Sequence, residues 1–351
     1  MYDTHLVQAY IQIKKAYALA NRSQGKLGTP VCQAILQASD ELLSSKHEIK
    51  FAPEPLPSAS GITLNTGINE SIASRAEEIL GGKPGQYQLV NPNDHVNLNQ
   101  EITPLFNLSA TLAILLALSE LQTNLLNLER LLLRESLTLS RVLKVRVILA
   151  DPSTTGQWGK RLNVFATAVE AVLNRLKESA NTLIDLESSP ENMSVAALTK
   201  GHSVNAETLA LAHLAELTGF RLKETKVIYQ NNLCQNIFII SDLLLIASAL
   251  KDLALMLSKL ASIAKMVNSG NLNENADTSK MKNAADLLVD SIKMSASLAI
   301  SQNLSFTFLA QNEQLEGELL MPLLTNNLLG TIYLLQTAVL IITEKGLLST
   351  S

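Results

Sequence analysis

Three observations predict an all-α chain built as a bundle of long helices. Leu, Ala, Ser and Asn dominate, while only 15 Gly and 10 Pro punctuate 351 residues, so long stretches carry no helix breaker. Apolar positions such as Leu243, Ile246, Leu250, Leu253, Leu257 and Leu260 recur every three or four residues, the period of a helix and not of a strand. The breaks between such runs are short and polar.

Taken in order, residues 5–21 read as a helix with Leu6, Ile13, Tyr17 and Ala20 near one face. Thr29-Pro30 opens a second helix through Val31, Ile35, Leu36 and Leu42 to about Ser45, because proline is preorganised for a first turn. Pro53, Pro55 and Pro57 then exclude a helix, and Ser58-Ala59-Ser60-Gly61 is a loop. A third helix spans 65–80 and stops at Gly81-Gly82. Residues 91–104 form an irregular crossing. Beyond it, 106–143, 153–188, 203–217, 229–268, 280–310 and 319–345 read as long helices. The expected organisation is an N-terminal helical domain over 1–104 and a long-helix bundle over 105–351. No period of 30–45 residues suggests a solenoid. Helices so poor in charge point to burial on several sides, hence to an oligomer.

The balance of 28 basic and 32 acidic residues gives no electrostatic footprint for nucleic acid, and aromatics at 4 % offer no stacking platform. No Walker loop, zinc set, Ser–His–Asp arrangement or dinucleotide fingerprint occurs, so no metal and no cofactor is expected. Cys32 and Cys234 have no ligand or disulfide spacing and read as buried reduced thiols, which suits a cytoplasmic protein. The start of the chain has no signal-peptide pattern. Leu319 to Thr343 is uncharged, but Pro322, Asn326, Asn327 and Gln336 interrupt it, so a core helix is expected and not a membrane span. His5, His47, His202 and His213 are isolated and read as surface residues.

The segment Gly85-Gln86-Tyr87-Gln88-Leu89-Val90-Asn91-Pro92-Asn93-Asp94-His95-Val96-Asn97-Leu98-Asn99-Gln100 resembles the aspartase branch of the aspartase/fumarase superfamily. The resemblance continues through Asn65, Asn69-Glu70, Ala73 and Glu78-Ile79-Leu80-Gly81-Gly82. It runs on through Ala215-Glu216-Leu217-Thr218-Gly219-Phe220, Ala249-Leu250-Lys251-Asp252-Leu253-Ala254, Ser258-Lys259-Leu260, Ser269-Gly270, Gly317, Glu318-Leu319 and Met321-Pro322. Gly156-Gln157 also matches a family pair, and Trp158 beside it is expected at the bundle edge. The resemblance implies a helical subunit of a homotetramer whose active sites are each built from three subunits. Against that pattern, the chain is expected to lack the family's N-terminal segment and its small C-terminal domain.

It also implies lyase chemistry, in which a proton is removed beside a carboxylate and the resulting charge is held by preorganised donors. The family supplies those groups from four segments, and this chain departs from each. The carboxylate-binding Gly-Thr reads Gly61-Ile62, with Thr63 one residue late. Ser-Ser/Thr-Asn-Asp reads Glu101-Ile102-Thr103-Pro104, where a carboxylate would repel a dicarboxylate substrate. Arg-Thr-His/Gln-Leu-Gln-Asp-Ala reads Arg146-Val147-Ile148-Leu149-Ala150-Asp151-Pro152, keeping Arg146 and Asp151. The signature loop is shortened between Ser269 and Asn283, leaving Ser279, Met281, Lys282 and Asn283 as relics of its base and its carboxylate-binding residues.

Candidate site residues are therefore the relics Arg146, Ser279, Lys282 and Asn283, of which the last three also suit a plain helix start. Asn91, Asn93, Asp94 and His95 match a loop where fumarases carry an accessory anion site, but a hydrogen-bonded Asx-type turn is the simpler reading of them. The expectation is a catalytically defective aspartase-like scaffold, as a homo-oligomer or joined to an active relative. The alternative is an active lyase of altered specificity.

Overall fold

The computed structural model describes residues 2–44, 49, 61–146, 152–184, 205–222, 232–270, 276–311 and 317–345. The side chains of 103, 139–158, 232–238, 266–284 and 317–319 lie outside the described set. The helices are α1 (Thr4–Ser23), α2 (Thr29–Leu43), α3 (Ile62–Ile79), α4 (Ile102–Arg146) and α5 (Pro152–Asn181). They continue with α6 (Ala206–Thr218), α7 (Asn232–Gly270), α8 (Ala276–Ala310) and α9 (Gly317–Glu344). Extended pairing among the described residues is one isolated bridge, Ile184 with Leu222. The all-α expectation holds. Two compact units form, one from residues 1–116, 181–240 and 312–326, the other from 117–180, 241–311 and 327–351.

The first unit is organised around α1, which packs against α2, α3 and α6. Asp3 caps it, accepting from the backbone N–H groups of His5 (2.8 Å) and Leu6 (3.3 Å). Leu6, Ile13, Tyr17 and Ala20 are buried as expected, and Ala9, Ile11, Ala16 and Ala18 are buried too, so α1 is enclosed on several faces. Arg75 on α3 pairs with Glu41 on α2 (2.6 Å) and with Glu78 (2.5 Å). Gly81, at φ 86°, takes the left-handed turn that ends α3.

The loop after α3 is held by Glu77, which is 1 % exposed. Its carboxylate accepts from the backbone N–H groups of Gln88 (3.1 Å), Leu89 (2.9 Å) and Val90 (2.8 Å). A Cβ at Gly82 would stand 2.7 Å from a Glu77 oxygen, so the chain can fold back here only through glycine.

In the second unit the predicted stripe Leu243, Ile246, Leu250, Leu253, Leu257 and Leu260 is buried throughout. On α4, Leu118, Leu121, Leu125, Leu128 and Leu132 repeat the same spacing, as do Val289, Ile292, Ala296 and Ala299 on α8. Asn303 continues the α8 stripe and donates from Nδ2 to the Ala247 carbonyl at 2.6 Å, fixing α8 against α7. Thr331 donates to Gln302 Oε1 (2.9 Å) and Gln336 to Glu120 (3.2 Å), joining α9 to α8 and to α4. Arg175 on α5 pairs with Asp252 on α7.

Pro104 and Pro322 both fall within helices. Pro104 lies in the first turn of α4, where a missing N–H removes no intrahelical bond, so α4 starts at Ile102 and the crossing ends earlier than predicted. Pro322 lies within α9, which runs on through it. Among the described residues two segments, Pro104–Thr138 and Leu320–Glu344, are long and apolar enough to cross a membrane, and 67 % and 50 % of their apolar windows are buried within the protein.

Glu77 generates a pH prediction. Burial raises its carboxyl pKa, but the three amide donors outweigh burial and hold it below the usual 4.5. A lowered folded-state pKa contributes stability above the unfolded value that is lost as pH falls through the folded one. Glu77→Gln should lower the urea midpoint at pH 7 and remove part of its decline between pH 5 and 3, as followed by circular dichroism.

Candidate functional site

The site region of the first unit is the corner where α1, α3, the crossing and the start of α4 meet. At its centre is Lys14, which is 0 % exposed. Its Nζ donates to Asn65 Oδ1 on α3 and to Asn97 Oδ1 on the crossing, both at 2.7 Å. Burial drives the amine's pKa well below that of an ordinary lysine. In the last turn of α1, Asn21 donates to the Leu98 carbonyl (3.0 Å) and accepts from Asn99 (2.5 Å). Asn99 itself takes a left-handed φ of 61°, which asparagine tolerates better than most residues. Gln100 turns back to the Val96 carbonyl at 2.8 Å.

This corner brings the starts of α3 and α4 together. Gly61 precedes α3 at φ 64°, and a Cβ there would stand 2.5 Å from the ring of Phe106 on α4. Phe106 packs edge-on against Tyr10, with centroids 6.4 Å apart. Helix starts present N–H groups and a positive dipole end that favour anions. In this chain, however, the side chains there are Ile62 and Ile102, 49 % and 38 % exposed, beside the exposed carboxylate of Glu101. The Tyr17 phenol is pushed up by burial and then by the negative charges of Glu207 and Glu101.

The turn Pro92–Val96 holds one group of candidates. Asn91 Oδ1 accepts from the backbone N–H groups of Asn93 (2.8 Å) and Asp94 (3.1 Å), which is the Asx-type cap. His95 Nδ1 accepts from the Asn91 backbone N–H at 2.9 Å, so that nitrogen is engaged by the turn and not by Asp94. Asn93 and Asp94 are exposed. The other candidates belong to the second unit. Arg146 is the last residue of α4, and Ser279, Lys282 and Asn283 lie in the first turns of α8, with side chains outside the described set. Ile148, Asp151, His47 and His202 fall outside the described residues, as does the side chain of Trp158.

Sequence reasoning missed Lys14 and Glu77. Lys14 had a signal, since it stands four residues after Tyr10 and three before Tyr17, in the middle of a buried helix face. Glu77 had none, because its partners are main-chain amides more than ten residues away. His213 corrects an expectation, being buried and not on the surface, because α6 turns that side toward α1. Cys32 is buried and its thiol donates to the Ala18 carbonyl at 3.5 Å. No group of three or more His, Cys, Asp and Glu placed to hold a metal occurs among the described residues.

The sequence model of a family described as lyase matches residues 1–283. The chain belongs to that family, within the aspartase/fumarase superfamily. It is 26 % identical over 267 residues to an aspartate ammonia-lyase from a Bacillus species, covering 76 % of this chain and 55 % of the relative. To the aspartate ammonia-lyase of Escherichia coli K12 it is 25 % identical over 355 residues, covering 97 % of this chain and 72 % of the relative. The fold matches the crystal structure of a fumarate lyase:delta crystallin from Brucella melitensis with a TM-score of 0.73 and 23 % identity, over 97 % of this chain and 78 % of that one. The chain thus spans about half the length of the first curated relatives it matches.

Gly61 is doubly constrained in this aspartase/fumarase-family corner, by its left-handed backbone and by Phe106. Gly61→Ala should cost about 2–4 kcal/mol, from the left-handed conformation plus overpacking. Urea unfolding checks this, and Phe106→Leu should recover part of the loss if contact with the ring is the cause.

Proposed function

We propose that this chain is a catalytically defective member of the aspartase/fumarase family that acts as an oligomeric scaffold. The observation that carries the reading is the pair of adjoining helix starts. There Ile62, Glu101 and Ile102 occupy positions where the family pattern has hydroxyl groups to bind a carboxylate. A carboxylate and two isoleucines offer a dianionic substrate no donor and one repulsive charge. The relics Arg146, Ser279, Lys282 and Asn283, and the turn residues Asn91, Asn93, Asp94 and His95, are the groups through which residual binding would act. The proposed division is a helical domain over 1–104 and a bundle over 105–351, working in the cytoplasm without cofactor.

Assembly is supported by the second face of α8. Away from its buried stripe, Leu287, Met294, Leu298, Leu304 and Phe308 are exposed, one or two helical turns apart. Ser291, Ser297, Ser301 and Ser305 lie among them, and each hydroxyl donates to a carbonyl one turn earlier at 2.8–3.2 Å. Hydroxyls satisfied within the helix can be buried against another apolar surface at little cost. A second copy or an active relative fits that surface, and family sites shared between subunits would let a defective partner alter an active one.

Purified protein mixed with L-aspartate or L-malate is expected to show no rise in fumarate absorbance, with an active aspartase as the positive control. Turnover of either substrate would overturn the defective reading in favour of a lyase of altered specificity. In sedimentation velocity the wild-type chain is expected to run as an oligomer. Met294→Glu together with Phe308→Glu should shift it to monomer, and an unchanged distribution would remove α8 from the interface.

A further inference from the structure

We propose that His213 is an acid-sensitive latch that holds α6 on α1 and releases it as the ring gains a proton. The inference is independent of whether the chain is catalytically defective. Among the described residues α1 is the main packing partner of α6, whose Leu209, Ala210, Leu211 and Leu214 are buried around His213. The His213 side chain is 11 % exposed. Its Nδ1 lies 3.4 Å from Glu216 Oε2, on the same helix and toward solvent. Its Nε2 is fully buried and has no hydrogen-bond partner among the described residues.

A neutral ring tolerates this setting, because Nδ1–H can face Glu216 and only one lone pair is left without a donor. A protonated ring does not. It would place a second N–H, now charged, in packed apolar surroundings, which is among the more costly arrangements in a protein interior. The charged and titratable groups around the interface do not rescue it. From α1, the positive charge of Arg22 opposes protonation, and Glu216 favours it from a largely exposed position. Tyr17 of α1 faces Glu207 at the start of α6. Lys14 and Lys15 are turned away to Asn65, Asn97 and Asp40.

Burial is the largest influence on the ring and lowers its folded-state pKa below 6.5. For a base so lowered, the separated state binds the extra proton, so the packed state is favoured above the ordinary pKa and loses ground as pH falls below it. One proton changes the opening equilibrium by at most about tenfold per pH unit. Helix α6 carries its own ends, Asn205 accepting from the Glu207 N–H at 3.0 Å and Gly219 in the left-handed conformation, so it is a discrete element to release.

The test is amide hydrogen exchange of the full chain at pH 7.5 and 5.5, corrected for intrinsic rates, on wild type and on His213→Leu and His213→Gln. Wild-type α6 should lose protection relative to α3 by up to about tenfold between those two pH values, because only the unit below the ordinary pKa contributes, and both variants should lose that dependence. Equal pH dependence in wild type and variants would overturn the proposal. Should neither variant fold, NMR titration of the His213 imidazole in the wild type decides. A midpoint below 6.5 that tracks α6 exchange supports the latch, and a midpoint at or above 6.5 overturns it.

Discussion

A lysine amine removed from water has to find acceptors in the protein, and the way Lys14 does so organises the first unit. Its two acceptors are amide oxygens, Asn65 on α3 and Asn97 on the crossing, so three separate parts of the chain converge on one nitrogen. The crossing cannot shift by a residue without stripping the amine of an acceptor, and a buried donor left unmade costs more than a made one contributes. Glu77 plays the complementary part upstream, a buried carboxylate surrounded by amide donors. Both buried groups are satisfied by uncharged partners, and neither depends on an exposed salt link that ions could screen.

Because those anchors lie behind the helix starts, the corner can persist while the exposed first-turn residues change. Lys14, Asn65 and Asn97 define the path, and Gly61 against Phe106 sets how closely α3 and α4 begin. Ile62, Glu101 and Ile102 stand outward of that framework and hold none of it in place by the contacts described. Fold membership and first-turn chemistry are thus carried by different residues, which is why one says little about the other.

The second unit follows another rule. Its helices are apolar on more than one face, so the core is selected by fit and by a few polar pins. On α8 the stripe ending in Asn303 and Phe306 faces inward, with the Asn303 bond to Ala247 setting its register, while a second set of apolar residues including Met294 and Phe308 is exposed. A helix with two such faces has no strong amphipathic asymmetry, and period alone cannot tell which face the subunit keeps for itself.

The helices, their order and the family were legible in the residues. Three- and four-residue spacing marks Leu243 to Leu260 wherever they pack, and Gly81 and the Thr29-Pro30 pair act through local backbone preference. The Asx turn at Asn91 was legible for the same reason, its partners being two and three residues away. What only the tertiary structure decided are the interactions whose partners are distant in sequence. Asn97 is 83 residues from Lys14, Glu77 finds main-chain amides that no side chain advertises, and His213 is buried because α6 lies on α1. Local preference acts over a turn or two of chain, whereas burial and its demand for partners are settled only when remote segments meet.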